Sequence, residues 1–113
     1  MDCNTINLEV FKMTRGTTPT FTLQFPDTID LTLAAEYVFT LSQGSAVVEK
    51  YGADMTITAH SVEVYLEQED TLKFQMYSDA QMQLNWVYSD GSRGCSKVKT
   101  ISIEENLHDE VMV

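Results

Sequence analysis

Side chains capable of nucleophilic catalysis are few in this sequence. Such chemistry needs a serine, cysteine or threonine beside a base, usually histidine, that a third group orients. The two histidines are His60, at a predicted turn before Ser61, and His108, in an acidic C-terminal segment. A triad is recognised by its geometry and not by the presence of its members, so we interpret both histidines as solvated polar residues. We predict no catalytic residue and a protein that is not an enzyme.

Carboxylates are the plentiful metal-ligating groups, because hard cations take their oxygens. Neither acidic cluster has the spacing of a calcium loop, and two isolated cysteines, Cys3 and Cys95, cannot build a zinc site alone. We predict no metal and no other cofactor, and we interpret both acidic clusters as solvated charge. Because we expect the chain to be made in the cytosol, we also expect its thiols to be free. The clusters are Glu67, Glu69 and Asp70, and Glu104, Glu105, Asp109 and Glu110.

Basic residues are concentrated around one predicted hairpin. Arg93, Lys97 and Lys99 are three of the seven basic residues, whereas residues 104–113 hold four acids and no lysine or arginine. This polarity predicts an interface at Arg93, Lys97 and Lys99 that contacts an acidic surface of another subunit. Between identical chains such a contact is head-to-tail.

Strict two-residue alternation dominates the chain, and it places apolar side chains on one face of each strand. The hairpin of residues 81–103 alternates cleanly only in its first strand, so we expect a β-bulge near Lys99 or Thr100. The apolar positions are Ile6, Leu8 and Val10; Phe21, Leu23 and Phe25; Tyr37, Phe39 and Leu41; Val47, Val48 and Tyr51; Met55 and Ile57; Val62, Val64 and Leu66; and Met82, Leu84, Trp86 and Tyr88.

Helical periodicity is confined to single turns at residues 31–36, 69–73 and 107–111, too short to carry a fold. About seven or eight strands in one domain predict an all-β, immunoglobulin-like antiparallel β-sandwich. A length of 113 residues fits a single domain, residues 1–113. Residues 1–13 are predicted to be an N-terminal arm or an extra strand.

The charge balance restricts the partners. Seventeen acidic and seven basic residues give a net charge of −10, which repels nucleic-acid phosphates and anionic lipid headgroups. No apolar stretch approaches the roughly 20 residues that span a bilayer. We therefore expect neither nucleic acid nor membrane as a partner.

Three stretches together resemble small immunoglobulin-like domains from tail and baseplate proteins of phages and prophages of Gram-positive hosts. They are residues 14–21 (TRGTTPTF), residues 66–74 (LEQEDTLKF) and residues 90–93 (DGSR) with Ser96. Residue 17 is threonine where the resembling pattern often has aspartate. The resemblance implies a structural module of the virion, assembled in the bacterial host cytoplasm, whose partners are other virion proteins, including copies of itself.

The sequence leaves a second function open. Sandwich domains often display loops that bind carbohydrates or receptors, and exposed aromatic side chains at Tyr51, Tyr65 or Tyr77 would favour that function. A small enzyme would instead need a concave pocket that holds His60 beside carboxylates.

Overall fold

The computed structural model describes residues 11–108 and residue 112, and nine β-strands form in this part of the chain. One short helix, α1 (Gln68–Thr71), and two 3₁₀ turns, Leu31–Leu33 and Gly52–Asp54, lie between strands. None of the helices in residues 11–108 is long and apolar enough to cross a membrane. The strands are β1 (Phe11–Thr14), β2 (Thr20–Gln24), β3 (Ala34–Gln43), β4 (Ala46–Tyr51), β5 (Met55–Ile57), β6 (Ser61–Tyr65), β7 (Asp79–Tyr88), β8 (Arg93–Cys95) and β9 (Lys99–Glu104).

The strands form two sheets. The larger sheet has the order β1-β9-β7-β3-β4, with β8 also paired to β7, and the smaller sheet has the order β2-β6-β5. Neighbouring strands are antiparallel except β1 and β9, which are parallel. The predicted all-β sandwich is confirmed. The strand count exceeds eight because β8 and β9, both paired to β7, are separated by an irregular stretch.

The core lies between the sheets and consists mostly of side chains that the alternation selected, although the selected positions Val47 and Tyr51 are exposed. Strand β7 shows the alternation most clearly, since Met82, Leu84 and Trp86 are buried while Gln81, Gln83 and Asn85 face the other way. The predicted strand at Ile6, Leu8 and Val10 lies outside the described residues. Other predicted apolar positions that are buried are Phe21, Leu23, Phe25, Phe39, Leu41, Val48, Val62, Val64 and Leu66. Core residues outside the selected positions are Met13, Ile29, Leu31, Phe74, Ala80, Ile101 and Ile103.

The β-bulge lies slightly earlier than predicted, at residues 96–98. Cys95 is opposite Asn85 and Lys99 is opposite Met82. The chain therefore advances four residues between β8 and β9 while β7 advances three, which leaves one extra residue. Ser96 bridges the irregularity because its backbone N–H donates to the Leu84 carbonyl and its Oγ accepts the Leu84 N–H at 2.9 Å. One extra residue in a strand reverses which face the following side chains occupy.

The first predicted helical turn is shorter than expected. It ends at Leu33, and β3 begins at Ala34 because the following residues pair with β7 across an irregularity between Ala34 and Glu36. The second turn is α1, and the third, at residues 107–111, lies largely outside the described residues. Strand pairing therefore overrides the weak local helical signal.

The expectation of free thiols is wrong for Cys95, which is disulfide-bonded. That expectation rested on the cytosolic compartment predicted for the chain. From Phe11 onward the N-terminal segment is a strand of the larger sheet, with Phe11 beside Ile101, six residues from Cys95. The other cysteine of the chain, Cys3, lies outside the described residues.

Two of the three stretches that carry the resemblance meet at one corner of the sandwich. Arg15 donates from Nε to the Phe74 carbonyl at 2.8 Å and from Nη2 to the Leu72 carbonyl at 2.9 Å. Thr71 Oγ1 donates to the Thr17 carbonyl at 2.8 Å. These residues satisfy backbone groups at a loop crossing, so their local role is structural.

Candidate interaction surface

The structure does not bring the three predicted interface residues together. Arg93 is opposite Val87, on the face of the larger sheet turned away from the smaller sheet, which we call the outer face. Lys99 is opposite buried Met82 and shares its inward face. Lys97 is exposed in the bulge between them. The bulge explains the separation, because Arg93 and Lys99 have the same parity in sequence but opposite faces in the sheet.

Around Arg93 the outer face spans β8, β7, β3 and β4, and we call this region the four-strand face. Its side chains are mostly apolar or uncharged, although 21% of the whole chain is charged. The charged side chains on it are Glu36, Glu49 and Arg93, with Asp79 on the same face at the first residue of β7. The uncharged members, by strand register and cleft lining, are Val38, Thr40, Ser42, Val47, Tyr51, Gln81, Gln83, Asn85, Val87 and, from the bulge, Val98.

A shallow cleft of about 570 Å³ opens at one end of the four-strand face. Its floor includes Tyr37, whose ring lies so close to the backbone of Gly52 that a Cβ there would be 3.1 Å from the ring. The Tyr37 hydroxyl donates to the Leu31 carbonyl. Burial, followed by the charge of Asp30 and a contribution from Tyr88, raises the pKa of Tyr37. The hydroxyl therefore stays protonated and anchors the cleft floor.

A second, smaller depression shares residues 36–38 with this cleft and reaches Glu49, Asn85 and Arg93. Arg93 Nη2 donates to Asn85 Oδ1 at 3.1 Å, and Glu49 lies near the hydroxyls of Thr40 and Tyr51, each 3.4 Å from a carboxylate oxygen. One cation and two carboxylates therefore lie on the same open surface. The arrangement can bind a partner through both charge signs and a central uncharged region.

The three tyrosines proposed as discriminating residues are all exposed, by 53% at Tyr51, 50% at Tyr65 and 78% at Tyr77. They do not form one platform. Tyr51 is on the four-strand face, Tyr65 is on the smaller sheet opposite Thr20, and Tyr77 precedes β7 at the far end of the larger sheet. A saccharide on the four-strand face would therefore use Tyr51 alone among the three.

Tyr77 has a backbone conformation that favours glycine or asparagine, with φ of 63°. Its hydroxyl donates to Glu105, and this hydrogen bond, with smaller contributions from burial and the Glu105 charge, raises the pKa of Tyr77. The left-handed conformation costs a tyrosine about 1 kcal/mol or more, whereas an exposed hydrogen bond contributes little.

Tyr77→Asn is therefore expected to raise the free energy of unfolding by up to about 1 kcal/mol, although it removes a large aromatic side chain. Urea denaturation followed by circular dichroism measures the change. Tyr65→Asn is the matched control, because Tyr65 lies in β6 without a positive φ and asparagine is unfavourable in strands. A loss of stability at Tyr77 equal to that at Tyr65 would contradict the strain argument.

The histidines are not assembled with a nucleophile in the described part of the chain. His60 is half-buried, with Nδ1 2.7 Å from the Ile29 carbonyl and Nε2 4.0 Å from Asp27. The Ser61 hydroxyl is 2.6 Å from Thr58 Oγ1. His60 therefore connects two loop segments while its side chain stays 42% exposed, and His108 is exposed.

The solvated interpretation of the first acidic cluster is wrong for Asp70. Its Oδ2 is 2.8 Å from Lys50 Nζ, and the two side chains are only 14% and 17% exposed. The same oxygen accepts the backbone N–H of Glu67 at 2.9 Å, so Asp70 fastens α1 to β4. Among the residues that the structure describes, no group of three or more potential metal ligands occurs.

Sequence reasoning missed the four-strand face apart from Arg93. The signal that could have indicated this face is a lack of charge. The outward-facing residues of β3 from Val38 to Ser42 and of β7 from Gln81 to Val87 are all uncharged. In a chain of net charge −10, two adjacent uncharged strand surfaces are typical of a protein contact. Their adjacency, however, is tertiary information.

No protein-family model matches the sequence, and no curated protein is significantly similar to it. The candidate surface therefore rests on its own geometry and charge.

Proposed function

We propose that the protein is a non-catalytic structural or assembly protein of a phage or prophage virion, in its tail or baseplate, acting through protein–protein contacts of the four-strand face. The observation that carries the proposal is the charge-poor, partly apolar surface on an otherwise strongly acidic chain. Charged residues are depleted and aromatic residues are enriched at the centres of protein interfaces. The sequence resemblance supplies the virion context.

Virion mass spectrometry tests this function. Particles released from an induced host that carries the gene are purified on a density gradient, and the chain is expected to migrate with them at a constant copy number per particle. Its recovery only among unassembled proteins would contradict the proposal.

A matched pair of variants connects incorporation to the surface. Val38→Lys places a charge at the centre of the four-strand face and is expected to reduce incorporation. Gln24→Lys places the same charge on the exposed surface of the smaller sheet and is expected to leave incorporation unchanged.

A carbohydrate- or receptor-binding module is the second candidate, favoured by the exposed Tyr51 ring at the cleft. Aromatic rings provide an apolar face with a polar tip, and Glu36 lies in the same cleft to accept hydroxyl hydrogens. Titration with N-acetylglucosamine oligomers, followed by NMR, should shift Tyr51 resonances in the parent and show no binding to Tyr51→Ala. An absence of shifts at millimolar saccharide would contradict this candidate.

A further inference from the structure

The charged side chains of the four-strand face lack ion-pair partners among residues 11–108. Within the described part of the chain, the Arg93 guanidinium donates only to the neutral amide of Asn85, and neither Glu36 nor Glu49 is in an ion pair. An arginine fork is suited to a carboxylate. The surface therefore presents one cation, Arg93, and three anions, Glu36, Glu49 and Asp79, that are available to a partner.

The strand order makes this surface complementary to itself. Across the face the strands follow the order β8, β7, β3, β4, with about 4.8 Å between neighbours. A twofold axis parallel to the strands, between β7 and β3, reverses this order in a second copy. It therefore places β8, with Arg93, over β4, with Glu49 and Tyr51.

The registers show which residues would meet. Asn85 is in line with Val38 and Tyr51 across β7, β3 and β4, and Gln83 is in line with Thr40 and Glu49. Because the Arg93 guanidinium bonds to Asn85, it lies near the line that ends at Tyr51. The guanidinium would face the Tyr51 ring of the second copy, with Glu49 about two residues farther along the strand. Arginine binds both an aromatic face and a carboxylate favourably.

The opposite end of the face has a matching apolar pair. Val98 lines a groove with Ser42 and Gln81, and Val47 is in line with these two residues on β4. Both valines are about half exposed, 51% for Val98 and 46% for Val47. The same twofold axis brings Val98 of one copy near Val47 of the other. An axis perpendicular to the strands would instead place each strand over itself and join neither pair.

We propose that a second copy of this chain packs on the four-strand face about a twofold axis parallel to the strands. Arg93 of each copy contacts Glu49 and Tyr51 of the other. This proposal rests on the proposed function, whose protein–protein contacts it specifies. It replaces the head-to-tail contact through Arg93, Lys97 and Lys99, because only Arg93 is on this face.

The net charge adds a salt dependence. Two chains of net charge −10 repel each other over distances that salt screens, with a Debye length near 10 Å at 0.1 M. The contacts on the face involve two arginine–glutamate pairs and a larger uncharged region. Association is therefore expected to strengthen as salt rises from about 0.02 M to about 0.2 M.

Sedimentation velocity of charge-reversal variants tests the twofold contact. The parent is expected to be dimeric at about 0.1 mM, whereas Arg93→Glu and Glu49→Arg should each weaken association at least about tenfold through like-charge contacts. An equimolar mixture of the two variants should recover a dimer, because both contacts of the mixed dimer then join an arginine to a glutamate, one pair with the native residues and the other with the charges exchanged. Lys73→Glu is the control, since it makes the same charge change at an exposed site away from the face.

Each alternative outcome overturns the twofold dimer. A parent that is monomeric at about 1 mM, a mixture that stays monomeric, or an effect of Lys73→Glu equal to that of Arg93→Glu would each do so. Larger, open-ended species would indicate a head-to-tail contact, and a monomer whose Tyr51 resonances respond to N-acetylglucosamine oligomers would indicate a saccharide. Virion mass spectrometry is independent of these results, so failure of the dimer and failure of the virion function are distinguishable.

Discussion

Trp86→Ala is expected to lower the free energy of unfolding by about 3 to 5 kcal/mol. The indole is only 1% exposed, in the second half of β7, and its ring makes an edge-on contact with Phe25 at a centroid distance of 5.5 Å. Truncation to alanine removes this buried apolar area and leaves a cavity that the two sheets cannot close.

The backbone of Gly94 restricts any relaxation around that cavity. A Cβ at Gly94 would lie 2.5 Å from the indole, so the backbone of β8 contacts the ring directly and leaves no room for a side chain at this position. The indole Nε1 has no hydrogen-bond partner among the described residues. Trp86→Phe removes that unpaired donor and keeps much of the volume, so its cost should be clearly smaller than that of alanine.

Chemical denaturation monitored by circular dichroism measures both variants. Leu33→Ala is the control, because Leu33 is 64% exposed and its truncation should change stability by less than about 0.5 kcal/mol. The parent's fluorescence provides an independent check, since Trp86 is the single tryptophan. An emission maximum of hydrated indole in the folded protein would refute the burial of Trp86.

Lys50→Met is expected to lower the free energy of unfolding by about 2 to 3 kcal/mol at neutral pH, because it leaves the Asp70 carboxylate mostly buried without its cation. Methionine keeps the unbranched stem of lysine. Lys12→Met is the matched control, since Lys12 and Glu104 are 3.9 Å apart and at least half exposed. Such surface pairs contribute about 0 to 1 kcal/mol.

The difference between the parent and Lys50→Met should depend on pH. Burial raises the pKa of Asp70, but the Lys50 hydrogen bond, the Glu67 backbone N–H and the charges of Lys50 and Lys73 outweigh it, so that pKa lies below its ordinary 3.8. The hydrogen bond with Asp70 raises the pKa of Lys50 above 10.5, although burial opposes the shift. The ion pair therefore stabilises the fold between these values.

Unfolding midpoints across a pH series measure this dependence. A carboxylate whose pKa is lowered by folding loses its contribution as pH falls through the lowered value, and a lysine whose pKa is raised loses its contribution as pH rises through the raised one. The parent's advantage should therefore be constant from about pH 5 to pH 9 and should decrease below pH 3.8. An advantage that persists fully at pH 2 would contradict an ionic origin.

Alternation within single strands made most of the core predictable. Met82, Leu84 and Trp86 needed no knowledge of their neighbours, because a pleated strand with one buried face requires period two wherever it pairs. The bulge was also detectable, since the broken parity before Ile101 required one extra residue. The bulge lies at residues 96–98 and not at Lys99 or Thr100, because one extra residue anywhere in the irregular stretch restores the same alternation.

Local sequence by itself therefore determined the fold class, the buried faces and the acidic character of this protein. Only the tertiary structure decided that Arg93 and Lys99 lie on opposite faces, that Asp70 of α1 binds Lys50 of β4, and that the uncharged surfaces of β3 and β7 are adjacent. Burial of a strand face depends on residues two positions apart, which any short window contains. The surroundings of a charge depend on residues distant in sequence, whose proximity is set by strand order and register.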